Sequence, residues 1–120
     1  MRCKVIIGIG LDITEILRIE EAYLKRETFS KRVLTPVEWE MFSGLTGSRK
    51  IEFLAGRYAA KEAFSKAMGT GIGKLGFQDI EILPDRYGKP IVGKSPFSGQ
   101  VFLSITHTDT IAAAQVILEQ

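Results

Sequence analysis

Ser48-Arg49-Lys50-Ile51-Glu52-Phe53-Leu54-Ala55-Gly56-Arg57-Tyr58-Ala59-Ala60-Lys61-Glu62-Ala63-Phe64-Ser65-Lys66-Ala67-Met68 is the stretch on which the fold turns. Ala, Leu, Glu, Lys and Arg dominate it, Gly56 is its only interior glycine, and Gly69 follows where a C-terminal stop belongs, so one long helix is predicted. Wound at about 100° per residue, it gathers Ile51, Leu54, Ala55 and Tyr58 on one side, with Glu62 inside that apolar stripe. Phe53, Ala60, Phe64 and Ala67 occupy the other side. A helix apolar on two faces belongs at the centre of the molecule. Arg57 and Lys61 are expected between those faces as a basic ridge. Glu62 has two readings at this point. It is either the ordinary i,i+4 partner of Lys66, worth a few tenths of a kcal/mol, or a partly buried carboxylate that needs a cation or an ordered network.

A chain of 120 residues suits one domain over 1–120 with a single core. The formal charge of +2 is too small to signal nucleic acid or membrane by bulk attraction, so the placement of charges matters more than their sum. Cys3 is the sole cysteine, which excludes an internal disulfide and suits a reducing compartment; it is expected to be an inert, half-buried strand residue. The apolar run over 5–13 is too short for a bilayer, is interrupted by Asp12 and lacks a signal-peptide cleavage site. A cytoplasmic protein is the expectation.

Residues 3–9 read as a strand buried on both faces, because the apolar run is nearly continuous. Asp12 would then end that strand, just before a helix over 13–26 carrying Ile16, Ile19, Tyr23 and Leu24 at helical spacing. Its two roles at such a place are helix cap and ligand. Thr35, Pro36, Val37 and Glu38 spell a capping box with Pro at the first helical position, opening a short structural helix anchored by Trp39 and Phe42 and broken at Gly44. Arg49 stands at the start of the long helix, where a cation gains nothing from the dipole: it is an exposed charge or a contact for an anion.

Residues 71–76 spell G-x-G-x-x-G, but a helix precedes them and a strand over 77–83 should follow, the reverse of a dinucleotide fingerprint. A Walker A loop fails as well, with Met68 at the first glycine position and Leu75 where Ser or Thr must hold metal. A glycine-permitted turn able to close over a ligand is expected instead. Strands at 77–83 and 90–92 should form a hairpin about the turn at 85–89. Strands at 100–106 and 111–118 should pair through Thr108-Asp109-Thr110, with Ala112, Ala113 and Ala114 leaving room for the long helix. His107, the only histidine, lies at that turn as a surface residue or a phosphate donor.

Three separated motifs, Gly8-Ile9-Gly10-Leu11-Asp12-Ile13, Phe53-Leu54-Ala55-Gly56-Arg57-Tyr58-Ala59-Ala60-Lys61-Glu62-Ala63-Phe64 and Leu103-Ser104-Ile105-Thr106-His107-Thr108, occur in that order, with Gly88-Lys89-Pro90 between the last two. Together they resemble the holo-acyl-carrier-protein synthases, the short members of the 4′-phosphopantetheinyl transferase superfamily, over almost the whole chain. The resemblance implies an α+β fold in which one long central helix and shorter helices pack on a mostly antiparallel sheet. It implies transfer of phosphopantetheine from coenzyme A to a serine of acyl carrier protein, releasing adenosine 3′,5′-bisphosphate. By the same resemblance Asp12 and Glu62 bind Mg²⁺, and Lys66 stabilises or protonates the leaving phosphate. Arg49, Arg57, Lys66 and His107 contact coenzyme A. On that reading the serine proton would go to Glu62 or to a metal-bound water it orients. The first helix, with Arg18 and Lys25, receives the acidic carrier, and the chain trimerises with sites between subunits. Tyr58 and Ile111 depart from residue types commoner in the family. A competing class is a noncatalytic nucleotide or RNA binding module using Arg49, Arg57, Lys61 and Lys66 as an anion-binding face. It leaves Asp12 and Glu62 unexplained, and neither 77–83 nor 100–106 interleaves aromatic with basic residues.

Overall fold

A computed structural model describes residues 3–120. Strand β1 (Ile6–Glu15) leads into helices α1 (Ile16–Lys25), α2 (Thr28–Val33), α3 (Pro36–Ser43) and α4 (Gly47–Met68). Strands β2 (Glu81–Pro84), β3 (Pro90–Lys94), β4 (Gln100–His107) and β5 (Ile111–Glu119) follow. One antiparallel sheet has the order β1-β5-β4, and β2-β3 form a separate antiparallel hairpin. The mixed architecture around one long helix is the one the sequence implies.

Small residues bring α4 onto the sheet. Gly8 and Gly10 of β1 face the helix, and a Cβ on either would overlap the backbone carbonyl of Ala67 or Ala63. Ala112, Ala114, Val116 and Leu118 present the same side of β5, all buried. Both core clusters draw on α4. One joins Ala63 and Phe64 to Ile80, Ile82, Val116 and Leu118, and the other joins Leu54 and Ala55 to Ile19, Val33, Leu34 and Phe42. The helix is thus apolar on two faces as expected, and it ends at Gly69 in the left-handed conformation (φ 78°) that favours glycine.

Several expectations are corrected. The first strand does not stop before Asp12: its ladder with β5 runs on to Glu15↔Ile111, and β-branched Ile13 and Thr14 suit it. Asp12 is therefore mid-strand and caps nothing; Glu15 precedes α1 without a side-chain cap. Nor is β1 buried on both faces. Ile7, Ile9, Leu11 and Ile13 lie more than half exposed on the side away from α4, aligned with Ile117 and exposed Phe102 across the sheet. Cys3 is exposed and precedes the strand. The six-residue α2 was too short to announce itself by periodicity. In the stretch read as a strand over 77–83, residues Phe77–Asp79 make a 3-10 turn and pairing starts only at Glu81. Asp79 accepts a bond from the Gly76 backbone N–H, which favours the turn.

Candidate functional site

The pleat of β1 decides where Asp12 points. Alternate residues share a face, so Asp12 lies on the helix side with Gly10 and Thr14, opposite Glu62 and Lys66 of α4. A cleft of about 420 Å³ opens there, walled also by Arg18, Phe29 and Tyr58. Thr14 Oγ1 donates to Asp12 Oδ2 at 2.7 Å, and Lys66 Nζ donates to Asp12 Oδ1 at 3.0 Å and to the Leu11 carbonyl at 3.1 Å. The partner of Lys66 is thus Asp12 across the cleft, and the expectation of a local Glu62 and Lys66 ion pair does not hold. Asp12 and Lys66 are far apart in sequence and meet only because α4 crosses β1.

Glu62 is half-buried. Burial, and then the Asp12 carboxylate, push its pKa above the ordinary glutamate range, while Lys66 and the nearby Tyr58 hydroxyl pull the other way. Tyr58 is raised too, by burial first and then by Glu62 and Asp12. Such a pair of carboxylates gains from a cation placed between them, and hard oxygen donors suit Mg²⁺. Among the described residues no three His, Cys, Asp or Glu side chains cluster. Asp12 and Glu62 would supply two ligands, leaving the remaining positions to water and substrate oxygens, as Mg²⁺ commonly accepts.

Apart from Arg18, the other predicted residues lie elsewhere. Arg49, Arg57 and His107 line a second groove of about 290 Å³ with Glu52, Phe53 and Pro90. Arg57 is only 8% exposed; its guanidinium carbon sits 4.3 Å from the Phe53 ring centroid and its Nε donates to the Ile82 carbonyl at 3.3 Å. Burial lowers its pKa, against the pull of Glu38. His107 Nδ1 is 3.9 Å from Glu52 Oε2. Arg49 is exposed at the helix start. On α1, Arg18 borders the cleft, while Lys25 borders a neighbouring depression with Arg26, Phe29 and Arg32.

Lys61 is no part of a basic ridge. It is fully buried, with Nζ 2.6 Å from Glu38 Oε1 and 2.8 Å from the Val33 carbonyl. The capping box formed as expected, Glu38 accepting from the Thr35 backbone N–H at 2.8 Å, but α3 is more than a packing element because the same carboxylate holds Lys61. Sequence reasoning missed Thr14 as the partner of Asp12. Its i,i+2 spacing in a strand was the available signal, hidden by ending the strand too early.

Known proteins bear on this arrangement. Residues 8–116 match the 4′-phosphopantetheinyl transferase superfamily. The holo-[acyl-carrier-protein] synthase of Streptococcus sanguinis (strain SK36) is 59% identical over 113 residues, which is 94% of this chain and 94% of that protein. A holo-(acyl-carrier-protein) synthase from Bacillus anthracis str. Ames, crystallised in complex with CoA (3′,5′-ADP), superposes with a TM-score of 0.90 at 51% identity, covering 96% of this chain and 97% of the other. The Neisseria meningitidis holo-[acyl-carrier-protein] synthase structure gives 0.87 at 37% identity, covering 97% and 100%. With its fold and nearly its full length shared with these proteins, this chain belongs to the 4′-phosphopantetheinyl transferase superfamily.

Proposed function

We propose that this protein moves the 4′-phosphopantetheine arm of coenzyme A onto a serine hydroxyl of an acyl carrier protein, releasing adenosine 3′,5′-bisphosphate. The observation that carries the reading is the convergence of Asp12, Glu62 and Lys66 on one cleft, from opposite parts of the chain. The names of its relatives and the CoA ligand of the Bacillus structure agree with it.

An alcohol attacks phosphorus and charge develops on the departing phosphate, so alignment and charge compensation are the main needs. Mg²⁺, when bound by Asp12 and Glu62, would supply Lewis-acid polarisation and neutralisation of the diphosphate. Thr14 fixes the Asp12 carboxylate. Lys66 is anchored by Asp12 and the Leu11 carbonyl, which keeps its ammonium at the cleft to compensate or protonate the leaving phosphate. Glu62, or a metal-bound water it orients, takes the serine proton. Arg49, Arg57 and His107 bind the adenosine phosphates in the second groove. The exposed cations Arg18 and Lys25 receive the acidic carrier.

The cleft and the groove are separate depressions of one chain, and in the assembly we assign they are joined across two copies. The uncovered apolar face of β1, where Ile7, Ile9, Leu11 and Ile13 are more than half exposed, supports this reading as a surface for a second copy. A homotrimer with sites between subunits is the assembly we assign. No helix among the described residues is long and apolar enough to cross a membrane, and the cytoplasm is where we place the reaction.

Incubating the protein with coenzyme A, Mg²⁺ and an apo acyl carrier protein should add one phosphopantetheine to the carrier mass; a carrier of unchanged mass overturns the proposal. The RNA or nucleotide module finds no support, because its anion face would need Lys61, which is sealed against Glu38.

A further inference from the structure

The β2-β3 hairpin leaves one edge of β2 facing the helices, and Ile82 sits on that edge, 1% exposed. A buried backbone donor and acceptor must find partners, and here both partners are side chains. The Ile82 N–H donates to Glu38 Oε2 at 2.7 Å, and its carbonyl accepts from Arg57 Nε at 3.3 Å. A single peptide residue thus couples Glu38 of α3 to Arg57 of α4. The other Glu38 oxygen is held by the Thr35 N–H at 2.8 Å and by Lys61 Nζ at 2.6 Å, with both charged side chains at 0% exposure. Glu38 is also the anion facing two buried cations, Lys61 and Arg57, which would otherwise repel each other.

With Nε committed to Ile82, the terminal nitrogens of Arg57 make no hydrogen bond to any described residue, and the guanidinium lines the groove with Arg49 and His107. The same hairpin contributes Pro90 to that groove. We infer that Glu38 and Lys61 are positioning residues for the anion groove: they seat β2, and β2 fixes the guanidinium of Arg57 in the orientation that meets a phosphate of coenzyme A. The inference rests on the reading of this groove as the adenosine phosphate site. Neither residue touches substrate, so their removal acts on coenzyme A binding and leaves the chemistry in the cleft intact.

The test replaces the pair together, Glu38→Leu with Lys61→Met, because exchanging both members of a buried ion pair for apolar side chains of similar volume commonly preserves folding. Binding of adenosine 3′,5′-bisphosphate is followed by calorimetry, and KM for coenzyme A, KM for the carrier and kcat by steady-state assay. The bisphosphate Kd and the coenzyme A KM should rise about tenfold, with kcat and the carrier KM within about twofold of wild type. Arg57→Ala should produce the same loss, and adding the pair replacement to it should cost nothing more. Val116→Ala, a core truncation in β5, should lower thermal stability without moving the coenzyme A KM. Should that double variant not accumulate as folded protein, Glu38→Met with Lys61→Leu carries the same expectation. Unchanged coenzyme A binding in the pair variants, with a loss in Arg57→Ala, makes the pair purely structural and overturns the inference while the groove reading stands. Unchanged binding in Arg57→Ala overturns both.

Discussion

Lys61 and Glu62 are neighbours on α4, and each lies at a pairing of lysine with carboxylate, Lys61 as a member and Glu62 beside one. Lys61 meets Glu38 with no solvent access, and every oxygen of that carboxylate is taken. One residue on, the helix turns Glu62 towards a cleft where Asp12 and Lys66 make a half-open pair and Glu62, beside Tyr58, lies outside that pair. The first arrangement is closed and can accept nothing further. The second keeps unspent negative charge beside an accessible space, which is what a cation and a phosphate require. Charge left incompletely compensated, more than charge itself, distinguishes the end of this helix where we place the reaction.

The sharpest way to break the contrast is at the open end. Asp12→Ala and Glu62→Ala should each lower carrier modification by about a thousandfold or more, as loss of a transition-state contact does, while melting temperatures stay close to wild type. Wild-type turnover in either variant, read by carrier mass, would show that the cleft is not the reaction centre. At the closed end the effect should be on stability. Lys61→Met alone strands a buried carboxylate and should cost about 3–5 kcal/mol in denaturant unfolding, far more than replacing both members together. Equal losses in the single and double variants would mean that the pair is not a unit.

A smaller effect separates the two ends by pH. The raised proton affinity of folded Glu62 means that its contribution to stability is full below the ordinary glutamate range and is lost as pH rises through its folded value. Without divalent metal, Glu62→Gln should therefore melt slightly higher than wild type at neutral pH, and the gap should close on acidification. Added Mg²⁺ should raise the melting temperature of the wild type and not of the variant. A variant that melts lower at neutral pH without metal would contradict the desolvation account. Smallest of all, Arg18→Glu should weaken carrier binding several-fold at low salt and less at high salt, with coenzyme A affinity retained. A salt-independent change would remove α1 from the carrier surface.

Much of this was legible from residues alone where the signal is local. The long helix, its glycine stop, the capping box at Thr35 and the two hairpins follow from spacing and turn chemistry. What local reasoning misjudged depends on partners distant in sequence. Asp12 looked like a cap because nothing in its neighbourhood shows that β5 extends the ladder to Glu15. Lys61 looked like a surface cation because helical phase cannot see the capping residue of another helix. Lys66 looked like the partner of Glu62 for the same reason.

The order of polar and apolar residues determined which segments become helix and strand, because hydrophobic periodicity and capping act within a few residues. The motifs likewise marked Asp12, Glu62 and Lys66 before any coordinates. Tertiary structure alone decided which charges would be sealed and which left open. The crossing of α4 over β1 brings Lys66 to Asp12, and the docking of α3 and β2 buries Lys61, since desolvation and pairing are properties of the packed chain and cannot be read from its order.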